Sequence, residues 1–398
     1  MMWWIGLGFV GAGMLLMLSK LVVRLFNRVE PVKLKDGARR KFAVIIPARD
    51  ESKVIGRLLE SIAVQSEAID FKDVYVVVER KGDPTVKIAE SYGAQVFVRK
   101  NVAKRKRKGY ALGEVIEMIL VKKKRYDAYF FFDADNVVGR SYFREMRKLY
   151  ERGYDIGIGR RRTLNPTTVI AVGSGLIFTI VNGILNRCKM KRGMNCIVSG
   201  TGFYIAGRVI KEMGTYPFHS LTEDYELSVY ATVHGLTTGY SQMAVFYDEQ
   251  PETFGEYFKQ RTRWVKGYFE ARRNFRGQLV RELRLGNGNV ASVYDTIIGV
   301  YDLVLMVIGV LIWAVAAVFT GDIALNLFGV VLLVYLVLAV FTGILLSMEW
   351  GQLDDRLKVM VIMVHPWMLL SYVGCLVAAF MQKELEWKPI IHGDGVKK

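Results

Sequence analysis

Uncharged apolar stretches stand toward both ends of the chain, and short apolar runs alternate with helical-period segments in the middle. Residues 1–19, 303–321 and 323–348 carry no charge, and 359–382 contain only His365. Each stretch is long enough to cross a hydrocarbon layer of ~30 Å at about 1.5 Å per residue. The pattern therefore predicts a membrane helix over residues 1–23 and membrane or interface helices over 294–382. Between them, Phe42–Pro47 is a continuous apolar run, as expected of a strand buried on both faces. Residues 51–66 place Val54, Ile55, Leu58, Leu59 and Ile62 at helical spacing. Val74–Val78, Gln95–Val98 and 126–132 read as further strands, with helices over 84–92 and 109–121. This alternation predicts an α/β domain over 42–285, with a mostly parallel sheet and helices on both faces. Ligands of such sheets bind beyond the carboxyl ends of the strands.

One segment tests that organisation. Residues 167–186 carry no charge for twenty positions, so hydropathy alone would make them a further span. A crossing there would put the acidic residues before and after it on opposite sides of the bilayer. The expectation is a helix in the domain core or lying in the interface.

Composition adds orientation. Of 398 residues, 52% are hydrophobic, and the formal charge is +17. Arg24, Arg28, Lys33, Lys35, Arg39, Arg40 and Lys41 crowd a linker over 24–41, and basic residues this close to a span favour the cytoplasmic side. The first segment lacks a basic leading region and an Ala-x-Ala cleavage site, so it reads as an anchor. A domain resting on an anionic leaflet accounts for the excess of lysine and arginine. The basic residues are not interleaved with stacking aromatics, so no nucleic-acid site is expected. Cys188, Cys196 and Cys375 show no CxxC or zinc spacing, which suits a reduced compartment. Gly6-x-Gly8-x-x-Gly11 follows no strand and lies in a membrane segment, where small residues serve close helix packing. The tail, 383–398, has lysines at 383, 388, 397 and 398, and an even number of crossings would strand them outside. A break at Pro366 would return them to the cytoplasm.

Candidate chemistry gathers at three places. Asp133-Ala134-Asp135 follows the apolar run ending at Phe132. Two carboxylates at the end of a buried strand suit a hard cation, Mg²⁺ or Mn²⁺, which fills its other positions with water and phosphate oxygens. The plain alternative is a solvated turn. Thr222-Glu223-Asp224 precedes a helical stretch, 225–233. It reads as an N-cap, as a base, or as both, with Asp224 taking a proton from an attacking hydroxyl. In Gln260-Arg261-Thr262-Arg263-Trp264, Arg263 offers two hydrogen bonds to a diphosphate and Trp264 an apolar face for a sugar. Without the other two motifs, an amphipathic surface helix would explain this one. The run 104–108 is mostly a solvated loop, but Lys108, just ahead of a helix, is placed to reach phosphates. Together these features describe a site that breaks a sugar–diphosphate bond.

The set, in this order, resembles the membrane-integrated branch of glycosyltransferase family 2, which includes cellulose, hyaluronan, chitin and poly-N-acetylglucosamine synthases. The likeness spans residues 42 to about 273. It implies a GT-A-type fold in which Pro47, Ala48, Arg49, Glu51 and Glu79 hold the nucleoside, although Glu79 stands where the family usually has Asp. Lys108-Gly109-Tyr110-Ala111-Leu112 matches its Lys-Gly-x-Ala-Leu element. By the same resemblance Asp133 contacts the nucleotide and Asp135 the metal, and Gly200 and Thr201 belong to the acceptor-side loop. Thr-Glu-Asp supplies the base Asp224 beside Glu223, and Gln260, Arg263 and Trp264 match Gln-x-x-Arg-Trp. The implied enzyme is a metal-dependent inverting glycosyltransferase of the cell membrane, multi-pass, with its catalytic domain in the cytoplasm. It would move a sugar from a nucleotide donor, expected to be the UDP form, to a polysaccharide. The enzyme alternative is a glycolipid synthase adding one or two sugars to a membrane lipid. Either reading leaves a homo-oligomer open. A transporter or scaffold that only binds nucleotide fits less well, because the spans lack charged residues and the carboxylate set is intact.

Overall fold

The computed structural model of the chain describes residues 2–26, 40–100, 102, 106–286, 289–320 and 328–382. Most of the basic linker (27–39), Lys104 and Arg105 of the basic run, and the tail 383–398 lie outside the described residues. The elements run α1 (Met2–Phe26), β1 (Phe42–Pro47), α2 (Ile55–Ala63), β2 (Val74–Val78), α3 (Thr85–Ser91), β3 (Gln95–Val98), α4 (Lys108–Val121), β4 (Ala128–Phe131), β5 (Val137–Val138), α5 (Tyr142–Glu151) and β6 (Ile156–Thr163). There follow α6 (Val169–Phe178), a π-helical stretch (Thr179–Asn186), α7 (Arg187–Lys191), β7 (Phe203–Ala206), α8 (Gly207–Met213), α9 (Glu223–Val233) and β8 (Thr238–Asp248). The last group is α10 (Phe254–Asn274), α11 (Arg276–Leu285), α12 (Val290–Ile298), α13 (Tyr301–Thr320), α14 (Phe328–Glu349) and α15 (Asp355–Met381).

The strands form one sheet in the order β3-β2-β1-β4-β7-β6-β8-β5. β1 pairs in parallel with β2 and β4, and β2 with β3, as the alternation predicts. β7 enters antiparallel between β4 and β6, and β5 runs antiparallel to β8, so the sheet is mixed. Successive residues of β1 feed two cores. Phe42, Val44 and Ile46 pack with Leu58, Leu59 and Ile62 of α2, whereas Ala43 and Ile45 pack with Leu112, Val115 and Ile116 of α4. Burial on both faces is why the run reads as unbroken apolar sequence.

Among the described residues five helices are long and apolar enough to cross a membrane: Trp4–Leu25, Val169–Lys191, Val290–Ala316, Val331–Glu349 and Asp355–Met381. In Val169–Lys191, 56% of the most apolar window is buried, against 11% in Trp4–Leu25 and 17% in Val331–Glu349, so that stretch packs into the protein rather than facing outward. Its serine, threonine and asparagine side chains are buried: Ser174, Thr179, Asn182 and Asn186 are all at most 1% exposed. α1 packs on α13 through Gly6, where a Cβ would meet Gly309 O at 2.9 Å, and Gly13, where it would meet Met306 Cγ at 2.7 Å. Gly8 and Gly11 have nothing within 4 Å, so the packing pair is spaced seven apart rather than by the GxGxxG run. Below this contact Lys20 bonds Asp302 at 2.7 Å, and Asp295 takes both Arg24 (2.5 Å) and Lys189 (2.7 Å). α15 continues unbroken through Pro366.

Candidate active site

Because β1, β2 and β4 run parallel, the residues that follow them emerge at one sheet edge. Pro47, Ala48, Arg49, Glu51, Glu79, Asp133 and Asp135 all line a cleft of about 1020 Å³ there. The start of α4 brings Lys108 to the same cleft, the start of α9 brings Glu223 and Asp224, and α10 brings Gln260, Arg263 and Trp264. Gly200 lines it too, while Thr201, 1% exposed, stands just behind and accepts the Asp133 N–H on its hydroxyl oxygen at 2.9 Å. These residues come from seven stretches of chain, Pro47 and Trp264 being 217 positions apart, and share one cavity.

Lys108 is the hub. Its Nζ donates to Asp133 Oδ1 at 2.5 Å and Gly200 O at 2.8 Å, and lies 3.6 Å from Glu223 Oε1. Burial opposes its charge, yet the carboxylates of Asp133, Glu223 and Asp224 outweigh that and hold its pKa above the usual lysine value. Burial pushes the Glu223 carboxyl up to about 7, with Lys108 pulling it down and Asp224 pushing it further up. Burial also raises Asp224, against the backbone amide of Tyr225, the charge of Lys108 and the amide of Gly200. Gly200 sits at φ +78, a left-handed conformation that glycine adopts without strain. Among the described residues Arg263 forms no ion pair. Burial lowers its pKa, and it feels Glu223, Asp224 and Asp133 across the cleft.

At the far end, Arg49 pairs with Glu79, and Arg99 reaches Glu79 at 3.4 Å and Glu114 at 3.1 Å. Asp83, 3% exposed, accepts the Asp50 N–H at 2.9 Å, and Thr85 Oγ1 accepts the Glu51 N–H at 3.0 Å. These bonds fix the turn after β1, where Asp50 takes a left-handed φ of 57.

At the opposite wall α10 is clamped to the Thr-Glu-Asp loop. Glu270 accepts from Arg107 at 2.7 Å and from the Leu221 N–H at 3.1 Å. Trp264 meets Phe178 edge-on at 5.9 Å, and the Arg261 guanidinium lies 3.9 Å from its ring centroid. Arg261 is 1% exposed and donates to Ser174 Oγ at 2.5 Å. Sequence reasoning does not single out Asp83, Arg99, Asn136, Arg161, Asp248, Arg261 or Glu270. A signal existed for Asp248, which ends an apolar strand as Asp133 does. For the rest, partners remote in sequence left no local mark.

The fold and cleft define the GT-A class of glycosyltransferase domains, a mixed sheet with acidic residues gathered at the strand ends. The chain belongs to glycosyltransferase family 2: residues 39–267 match the family model described as "Glycosyltransferase like family 2". It is 23% identical over 231 residues to the probable glycosyltransferase YdaM of Bacillus subtilis (strain 168), covering 57% of this chain and 55% of that protein. It is 22% identical over 248 residues to the poly-β-1,6-N-acetyl-D-glucosamine synthase of Staphylococcus epidermidis, covering 62% and 58%. The chain thus spans a little over half the length of these relatives. The mannosyltransferase PcManGT from Pyrobaculum calidifontis, solved in complex with GDP-Man and Mn²⁺, aligns with a TM-score of 0.57 at 15% identity, over 96% of this chain and all of that one. At that identity the likeness is one of fold.

Proposed function

We propose that this protein is a membrane-bound inverting glycosyltransferase that moves a sugar from a nucleotide-sugar donor, with the UDP sugars expected, to an acceptor hydroxyl. The observation that carries this reading is the convergence of Asp133, Asp135, Glu223, Asp224, Lys108 and Arg263 on one cleft. Pro47, Ala48, Arg49, Glu51 and Glu79 form the nucleoside end, and Lys108 and Arg263 face the diphosphate. The acceptor oxygen attacks the anomeric carbon while its proton passes to Asp224. The bond from that carbon to the diphosphate oxygen breaks on the opposite side, its electron pair leaving with the diphosphate, so the carbon inverts. Arg263 suits the departing charge because it sits partly buried without an ion-pair partner among the described residues. Asp133 and Asp135 fit a divalent cation. Both are carboxylates lining the cleft, and a hard cation needs only one or two such ligands beside water and phosphate oxygens. Mg²⁺ or Mn²⁺ held there would offset diphosphate charge.

A polysaccharide acceptor is the first reading. A lipid acceptor is favoured by one feature: Ile177, Phe178 and Val181, from the apolar stretch beginning with α6, form a wall of the cleft. Product length separates them, since a polymer synthase builds long chains from donor alone. In the proposed arrangement residues 42–285 are the cytoplasmic catalytic domain, and α1, α13 and α14 cross the membrane. α15 lies along the interface: Leu353 and Val361 pack on Val172 and Leu176, and at the other end Lys266 donates to the carbonyl of cleft-lining Gln382. A helix whose two ends both touch the domain returns the tail to the cytoplasm.

The test is Asp224→Asn. Transfer should fall by ~10²–10⁴ with nucleotide binding retained. Unchanged turnover would assign the base elsewhere.

A further inference from the structure

Behind the Asp133–Asp135 pair lies a buried polar cluster that the transfer step does not use. Asn136 is fully buried, and Asp248 is 2% exposed. The Asn136 carbonyl oxygen accepts from the Asp133 N–H at 3.2 Å and from the Thr201 hydroxyl. That fixes which end of the amide faces Asp133, and its NH₂ must turn the other way. There it donates to Asp135 Oδ1 at 3.2 Å and to Asp248 Oδ1 at 2.7 Å. The other oxygen of Asp248 accepts from Arg161 Nε at 3.0 Å and Gln250 Nε2 at 2.8 Å. With both oxygens engaged and Arg161 balancing its charge, Asp248 is held as an acceptor for Asn136 and is not presented as a ligand.

We propose that Asn136 and Asp248 are positioning residues of the donor site, which orient the Asp133 main chain and the Asp135 carboxylate for a divalent cation. The proposal rests on the reading of Asp133 and Asp135 as that cation's ligands. Asn136 touches both aspartates through its two ends, and Asp248 holds the NH₂ end in the direction that the Asp133 N–H and Thr201 set. Loss of such outer partners typically weakens metal affinity 10–100-fold.

The experiment measures Mn²⁺ binding by the full-length, detergent-solubilised protein in the absence of donor. Free Mn²⁺ is followed by electron paramagnetic resonance, with thermal melting of the metal-free protein in parallel. Asn136→Ala and Asp248→Asn should each weaken Mn²⁺ binding at least tenfold. If Asp248→Asn does not fold because Arg161 loses its counter-charge, Asn136→Ala decides alone, since the Asp133 N–H keeps Thr201. Wild-type affinity in a folded variant, even with a lower melting point, would reduce the cluster to a structural tie and overturn the proposal. Failure of the wild-type chain to bind Mn²⁺ would instead overturn the reading of Asp133 and Asp135 as ligands, and this proposal with it.

Discussion

Gly267→Ala offers a sharp test of how tightly the Thr-Glu-Asp loop depends on α10. Gly267 passes directly over Thr222, and a Cβ there would lie 2.6 Å from Thr222 Oγ1, 2.7 Å from Cγ2 and 2.8 Å from the Thr222 backbone N. Turning the threonine side chain relieves the first two contacts but leaves the third. Restoring ordinary contact with that nitrogen requires the helix and the loop to part by about 0.6 Å. They cannot part freely, because Glu270, three residues on, holds both Arg107 and the Leu221 N–H. Overpacking of this kind costs ~1–3 kcal/mol, and the gain from replacing a helical glycine offsets up to about 1 kcal/mol of it. The net loss of stability is therefore modest. Catalysis should suffer more, because the displacement falls between Asp224 and Arg263. A misplacement of 1 Å is worth ~10²-fold in rate, so about 0.6 Å should lower kcat roughly tenfold. The assay is initial-rate sugar transfer from a panel of labelled donors, with thermal melting of the same preparations. Gly255→Ala is the control: the residue lies on the same helix with nothing within 4 Å, and its kcat should not change. A Gly267→Ala protein with wild-type kcat and melting point would show that α10 does not set the loop.

Two further outcomes concern the cleft and the membrane. Burial raises Glu223 from an ordinary value of 4.5 to about 7. Between those values the folded protein holds a proton the unfolded chain has released, so stability from this group falls as pH rises through the window. Melting midpoints should accordingly drop from pH 5 to pH 7, and Glu223→Gln should flatten that part of the profile; an equal slope in the variant refutes the assignment. In a cysteine-free background, cysteines at Lys81, Gly351 and Gln382 should label from one side of the membrane, and cysteines at Met2 and Phe328 from the other. Labelling of the Gln382 position from the Met2 side would make α15 a span.

Local pattern revealed some of this fold and was silent on the rest for identifiable reasons. β1 and β2 begin and end where their apolar runs do, because both faces of each are covered; β3, at the sheet edge and only partly buried, also keeps the expected bounds. The strand expected over 126–132 is shorter, Ala128–Phe131, because its pairing with β1 and β7 spans only those residues. β6 could not be read at all. Its sequence, Ile-Gly-Ile-Gly-Arg-Arg-Arg-Thr, puts glycine where Tyr204 and Tyr142 need the volume: a Cβ at Gly157 or Gly159 would fall 2.0 or 2.6 Å from those rings. The apolar mass that buries β6 is supplied by other elements, Tyr204 of β7 and Tyr142 of α5. β5 is two residues long and exists only through its pairing with β8, more than a hundred positions later.

The cleft divides along the same line. Asp133, Asp135, Asp224 and Lys108 announce themselves because each sits at the start or end of a recognisable element, and Arg263 because it stands in the Gln-x-x-Arg-Trp run. Asn136, Arg161 and Asp248 do not, because a buried polar group is explained only by its partner. Asn136 and Asp248 are 112 positions apart. The stretch from α6 to α7 shows how far this reaches. Counting charges makes it a span, yet Ser174 donates to Gln250 at 3.0 Å, Thr179 accepts from the Trp350 ring nitrogen at 3.4 Å, and Asn186 donates to Ile197 O at 2.9 Å. Each inward bond satisfies a polar group that hydrocarbon would leave bare, and unsatisfied groups there cost several kcal/mol. Uncharged side chains therefore hold the helix against the rest of the protein, and the same packing sets Ile177, Phe178 and Val181 against the cleft. An apolar wall beside the cleft's carboxylates follows from where Ser174, Thr179 and Asn186 find their partners.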